Sequence, residues 1–241
     1  MRYLVNMKYD GTNFYGFQIQ EDVRTIEKEV TLVLSKILNE EVKIVGCSRT
    51  DKGVHANDLY FHFDTSKEID TNKLKYSLNS MLTDEIYIKD ISKVEDDFHA
   101  RYSVKEKEYV YIINTGTYEP TKRNIEFQYN KEIDIELIKE ASKKLIGEKD
   151  FKSFTSDNEK ENTIRNVKDI RIEKINDKVY IYIVANGFLK YMVRNIVGLL
   201  LDINEGKKKV EEIENIILSK DRTKLGLCVS PVGLYLNKVN Y

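Results

Sequence analysis

The chain has no tryptophan, two cysteines, two prolines and three histidines among 241 residues. Cys47 and Cys228 lie far apart and form no Cys-x-x-Cys pair, which argues against a disulfide framework or a thiolate zinc site and fits a reducing, cytoplasmic compartment. No apolar run approaches the roughly 18 residues of a membrane span. Strand-like alternation begins at once in "MRYLVNMKYD", so a soluble, unprocessed protein with no membrane partner is expected. Neither sign of charge is in excess: 39 basic and 40 acidic residues leave a net charge of -1. No global field therefore draws the chain to nucleic acid or anionic lipid, and a polyanionic partner must be held by a local patch. With Pro120 and Pro231 the only prolines, eleven glycines and 33% charged residues, the composition is that of a well-solvated globular protein. A Gly-x-Ser-x-Gly elbow, a P-loop and a dinucleotide glycine fingerprint are all missing. His55 and His62 have opposite parity on a strand over Ala56–Phe63 and do not share a face, so they and His99 are expected to be structural rather than metal ligands.

What the chain does have is two stretches of alternating strands and helices. Tyr3, Val5, Met7 and Tyr9 alternate with polar neighbours, the period of a sheet with one buried face. After the turn Asp10–Asn13, Thr25 is a plausible helix cap, and Ile26, Val30, Val33, Leu34, Ile37 and Leu38 form an amphipathic stripe. Strands over Val42–Cys47 and Ala56–Phe63, a short helix over Asn72–Met81 and a strand around Ile86–Ile91 complete the first half. A strand over Glu108–Asn114 opens the second. A helix over Ile135–Ile146 capped by Gly147, strands near Thr163–Ile172 and Val179–Ala185, an apolar helix from Leu189 to about Ile203, a helix near Val210–Leu218 and the strand "GLYLNKV" follow. The pattern predicts two α/β halves, 1–104 and 105–241, with no flexible linker between them.

Three places draw chemical interest. Arg194 lies inside "FLKYMVRNIVGLLLDI", a helix with almost no polar face. A guanidinium cannot shed its charge there, so burial demands a carboxylate or phosphate partner. A structural ion pair and a role in a site fit this position equally well. Asp51 sits at the tip between two apolar strands, beside Arg49, Lys52 and Gly53; "RTDKG" also reads as a plain polar turn, the reading that spacing alone favours. Tyr109 and Tyr111 share one face of a strand, where a ring can stack on a planar base, although most strand tyrosines simply pack in a core.

"YDGTNFYGFQIQ", "GCSRTDKGVHA", "DDFHARYSVKEKEYVYII", "LIGEKDFKSF", "TIRNV", "ANGFLKYMVRNIVG" and "GLYLNKVNY" resemble, in order and over essentially the whole chain, the motifs of the tRNA pseudouridine synthase A family. The resemblance implies an α+β fold, two α/β halves around a mainly antiparallel mixed sheet with a central active-site cleft. It implies an isomerase that converts uridine to pseudouridine at positions 38 to 40 of the tRNA anticodon arm, as a homodimer, without cofactor or metal. Carried over by motif, Asp51 is the nucleophile, Arg49 helps displace the target base, Tyr109 stacks on the flipped uracil and assists proton removal at C5, and Arg194 pairs with Asp51 to keep it ionised. A positive groove lined by Arg49, Lys52 and Lys190 is expected to hold the RNA. Cys47-Ser48 and Lys52 depart from the family's usual residues around the aspartate, as do Thr83, Lys190, Tyr191 and the segment "CVSPVGLYL" elsewhere. They point to substrate preference as the property in which this chain differs. A paralogue acting on other RNA uridines, and a catalytically idle RNA-binding protein of the same fold, are the alternatives.

Overall fold

The computed structural model of the chain describes residues 1–157 and 159–241. Two compact units form, Met1–Lys105 with Tyr235–Tyr241, and Glu106–Leu234. Each carries a mainly antiparallel mixed sheet with helices, the α+β class expected.

In the first unit, strands β1 (Arg2–Tyr9), β2 (Ile44–Gly46), β3 (His55–Asp64) and β4 (Ile86–Val94) accompany helices α1 (Ile26–Leu38) and α2 (Thr71–Met81). β1 runs antiparallel between β3 and β4, and β2 adds to β3. The alternation read from β1 is what folds: Tyr3, Val5, Met7 and Tyr9 are buried and the intervening residues are not. Ile26, Val30, Leu34 and Leu38 turn the apolar stripe of α1 inward, each contributing about 1.5–3 kcal/mol by leaving water. Asp70 caps α2 by accepting the N–H groups of Asn72 and Lys73, both at 3.1 Å.

The second unit contains β5 (Glu106–Asn114), β6 (Phe127–Gln128), β7 (Gly147–Asp150), β8 (Ile164–Ile175) and β9 (Lys178–Ala185), with α3 (Ile135–Lys143), α4 (Met192–Asn204) and α5 (Glu212–Ser219). β9 lies between β5 and β8, β7 pairs with β8, and β6 joins β5 in parallel. The last strand, β10 (Leu234–Asn240), contributes Tyr235 and Leu236 to a parallel pairing with His55 and Ala56 of β3.

Two expectations need correction. The α3 stripe predicts a helix to Ile146, but helix geometry stops at Lys143; Gly147, at φ 103°, opens strand β7 instead of serving as the cap residue. The apolar helix predicted from Leu189 begins at Met192, because Tyr191 takes a left-handed backbone at φ 65° and breaks the run. Arg194 is therefore in the first turn of α4, half-buried, rather than buried at the helix's centre. Every other α4 residue except Asn204 is buried. The buried Asn195 is satisfied, donating to Phe154 O at 2.8 Å and accepting from Arg222 at 2.9 Å.

Candidate active site

In the first unit, Asp51 sits in the loop between β2 and β3, half-buried. The loop enters by Cys47, whose N–H donates to Tyr60 O at 2.7 Å, and closes in a turn in which Val54 N–H donates to Asp51 O at 3.2 Å. Gly53 takes φ 76° inside that turn, a conformation strained for any residue with a side chain.

The segment following β1 locks this turn from both flanks. Phe17 N–H donates to Thr50 O at 3.1 Å, and Gly53 N–H donates to Phe14 O at 3.2 Å. The hydroxyls of Tyr9 and Thr50 share a hydrogen bond of 2.7 Å in a buried position. Gly16, at φ 98°, brings the two backbones together so closely that a Cβ there would lie 2.6 Å from Thr50 O. Phe14 is held in turn by the Arg24 guanidinium, 4.1 Å from its ring centre, and Arg24 is paired to Glu29 and Glu85. "YDGTNFYGFQIQ" and "GCSRTDKGVHA" are thus two halves of one local construction, with Asp51 at its tip.

Arg49 and Lys52 are exposed on either side of Asp51. Lys52 Nζ lies 3.8 Å from the centre of the Tyr15 ring, a cation–π contact that fixes its direction. The three histidines are committed to backbone: the Nδ1 atoms of His55, His62 and His99 accept N–H groups of Gly11, Ala100 and Arg101, each at 3.1 Å. Burial, helped by Arg2 and His99, pulls His62 down from 6.5 to about 4.

In the second unit, Tyr109 is buried on β5 opposite Ile183, with Phe188 packed edge-to-face at 4.9 Å between ring centres. Tyr111 shares its sheet face but is wholly buried, its hydroxyl donating to Ser230 O at 2.8 Å. Burial pushes that phenol well above its usual range, with Arg194 opposing the shift, so Tyr111 is a structural residue.

Arg194 is aimed by its neighbours. Its Nε donates to Val229 O at 2.7 Å, its own carbonyl accepts the Val229 N–H at 3.4 Å, and its guanidinium lies 4.7 Å from the centre of the Tyr191 ring. Among the described residues of its own unit no carboxylate comes within 4 Å of it. A cation in the first turn of a helix also faces the unfavourable end of the helix dipole, so the fold spends stability to keep it there. Lys190 is exposed just before α4, with Nζ 5.4 Å from the Tyr191 ring centre.

No single motif marks Phe14, Tyr15, Gly16, Phe188 or Val229. The glycine of "FYGF" is the one sequence signal, since a glycine permits the positive φ and close backbone approach that Gly16 adopts. The Val229 carbonyl leaves no side-chain signal at all.

A family model described as tRNA pseudouridine synthase matches residues 6–103 and 141–241. The chain is 45% identical over 240 residues to the tRNA pseudouridine synthase A of Thermoanaerobacter sp. (strain X514), covering 99% of this chain and 98% of that one. It is 42% identical to the tRNA pseudouridine synthase A 2 of Clostridium perfringens (strain 13 / Type A), with 98% of each covered. To the tRNA pseudouridine synthase A of Malacoplasma penetrans (strain HF-2) it is 40% identical, with both chains covered in full.

Proposed function

Because the chain belongs to the tRNA pseudouridine synthase family, we propose that it isomerises uridines at positions 38 to 40 of the tRNA anticodon arm, with Asp51 as the nucleophile. The enzyme is an isomerase acting on tRNA uridine. The reaction breaks the N1–C1′ bond, turns the base and forms the C5–C1′ bond, while C5 loses a proton and N1 gains one. Atoms and electrons balance within the nucleotide, so the chemistry calls for no cofactor or metal.

The observation that carries this reading is the clamp on the Asp51 turn by Phe14 and Phe17. A nucleophile gains from being fixed on a rigid element, and both flanks of this carboxylate are fixed by backbone hydrogen bonds. Attack on the ribose, attack on the base and elimination through a glycal all begin from an ionised carboxylate. A water-poor site would push its pKa up, and a guanidinium opposes that. We assign that role to Arg194, which meets no carboxylate within 4 Å in its own unit among the described residues. Tyr109 takes the flipped uracil, returning part of the few kcal/mol lost on unstacking, and Arg49 helps displace the base. Lys52 and Lys190 contact the RNA backbone.

We also infer a cytoplasmic homodimer, since a chain with net charge -1 gains a continuous basic strip by pairing two copies. The second reading, a paralogue acting on other RNA uridines, draws support from Lys52, a cation fixed over Tyr15 beside Asp51. Pseudouridine mapping in total RNA of a strain lacking the gene, with and without the gene restored, decides between them. Sites at 38 to 40 of tRNA that return with the gene uphold the first reading; sites that return only elsewhere overturn it.

A further inference from the structure

His55 opens β3 just after the Asp51 turn and is fully buried, yet no step of the proposed reaction uses it. A buried imidazole must be hydrogen-bonded, and the group its Nδ1 meets is backbone of the segment following β1. Gly11 N–H donates to it at 3.1 Å. Asp10 Oδ1 lies 3.1 Å from the same nitrogen and is itself held by the Thr12 N–H at 2.9 Å and the Thr12 hydroxyl at 2.6 Å. A ring with its proton on Nε2 accepts from Gly11, and a ring protonated on Nδ1 turns to Asp10. In either form one atom ties the Asp10–Gly11 turn to His55.

That tie closes a circuit around the proposed nucleophile. Gly53 N–H donates to Phe14 O at 3.2 Å, and Phe14 N–H donates to Gly11 O at 3.0 Å. Gly11 N–H then donates to His55, which returns the path to the chain segment where it began. His55 supplies the only side-chain atom among these links. Val54, enclosed by them, donates its N–H to Asp51 O at 3.2 Å. Gly11 lies directly against Val54: a Cβ there would be 2.0 Å from Val54 O, so only glycine fits. The far side of the Asp10–Gly11 turn is pinned to the sheet by Asp10 N–H, which donates to Glu85 O at 2.9 Å.

The ring is aimed by β10. Tyr235 is the cross-strand partner of His55, and the two rings stack at 4.5 Å between centres with 22° between planes. The stack fixes the imidazole plane and with it the direction of Nδ1. His62 and His99 also accept backbone N–H groups, but those of Ala100 and Arg101, outside this circuit.

We propose that His55 is a positioning residue for Asp51: its Nδ1 closes the hydrogen-bond circuit that holds the Asp51 turn, and Tyr235 keeps that nitrogen on Gly11. The inference rests on the reading of Asp51 as the nucleophile. Support of this kind counts most at the chemical step, where a misplacement of about 1 Å costs on the order of 100-fold in rate. Affinity for tRNA, spread over many contacts, is expected to be insensitive to it.

The test uses the full-length protein and an unmodified tRNA transcript. Single-turnover rate, tRNA affinity and melting temperature are measured for each variant, the rates at a temperature where it is fully folded. His55→Phe keeps a ring on Tyr235 and loses Nδ1, so the single-turnover rate is expected to fall about 10- to 100-fold with tRNA affinity within about twofold. His55→Asn gives up the stack but offers an amide oxygen to Gly11, so its rate is expected within about fivefold of wild type although its melting temperature falls. Packing alone predicts the opposite order, since phenylalanine fills the site and asparagine does not. Tyr235→Leu, at a half-buried position, lets the imidazole turn and is expected to slow the single turnover at least about threefold; it carries the test where His55→Phe fails to fold. A His55→Phe rate within about twofold of wild type overturns the proposal, as does a His55→Asn rate no faster than that of His55→Phe, or Tyr235→Leu at the wild-type rate. Pseudouridine formed by Asp51→Asn while His55→Phe is slow defeats the nucleophile reading alone; an inactive Asp51→Asn beside a fully active His55→Phe defeats the His55 proposal alone.

Discussion

Phe17 donates its backbone N–H to the carbonyl of Thr50 at 3.1 Å, which ties the residue before the proposed nucleophile to a segment from the beginning of the chain. The contact is possible because Gly16 has no side chain and sits at φ 98°. A Gly16→Ala substitution must both adopt a left-handed backbone, at about 1–2 kcal/mol, and relieve a Cβ placed 2.6 Å from Thr50 O. A loss of about 2 kcal/mol or more in denaturant unfolding is expected, with an unchanged m-value and a fall in kcat greater than the rise in KM. A variant as stable and active as wild type would show that the turn does not depend on this approach.

Lys52 is held over Tyr15 rather than free to swing, so its charge is delivered to one place beside Asp51. A cation–π contact at an exposed site is worth about 0.5–1 kcal/mol. An exposed ion pair to the RNA is worth about 0.2–1 kcal/mol, so Lys52→Ala should raise KM for a good tRNA substrate by up to about fivefold with kcat retained, and should change the ranking among tRNAs. Equal KM values across a panel of tRNAs, before and after substitution, would remove Lys52 from substrate preference.

Tyr109 presents its ring from a rigid strand, braced by Phe188. Tyr109→Phe keeps the stacking face and loses the hydroxyl, so single-turnover rates should fall while tRNA affinity holds. Tyr109→Leu should also lose a stacking contribution of about 1–3 kcal/mol. If Tyr109→Phe turns over at the wild-type rate, the hydroxyl has no part in the chemistry.

His62 gives the first unit a dependence on pH whose sign follows from its shift, from 6.5 to about 4, caused first by burial and then by Arg2 and His99. Above about pH 6.5 the ring is neutral folded or unfolded and nothing is lost. As pH falls from 6.5 toward 4, the unfolded chain binds a proton that the folded chain does not, and stability drops. Urea midpoints at pH 7 and pH 5 should separate more in wild type than in His62→Gln, in which an amide oxygen can still accept the Ala100 N–H. Parallel pH profiles in the two proteins would contradict this.

Local patterns in the sequence report local structure well and distant packing poorly. The alternation of Tyr3, Val5, Met7 and Tyr9 and the stripe from Ile26 to Leu38 both fold as the spacing predicts, because one buried face decides each. The start of α4 is misread because Leu189 continues its apolar run, while the break comes from the backbone of Tyr191, a property that periodicity does not carry. Gly147 looks like a helix cap because its own strand is only four residues long. Asp51 and Arg194 stand out by motif and by polarity. The Thr50 contact of Gly16 and the Val229 contact of Arg194 join segments far apart in the chain, and no window of sequence contains both partners.

The carboxylate of Asp51 is proposed to perform the first chemical step on a uridine in tRNA. Asp51→Asn preserves the size of the side chain and the turn while removing the charge. Single-turnover formation of pseudouridine in a tRNA transcript, measured beside tRNA binding, is the decisive measurement. No detectable pseudouridine is expected from Asp51→Asn, with tRNA affinity within a few-fold of wild type; pseudouridine formed at a rate near that of wild type would rule out Asp51 as the nucleophile.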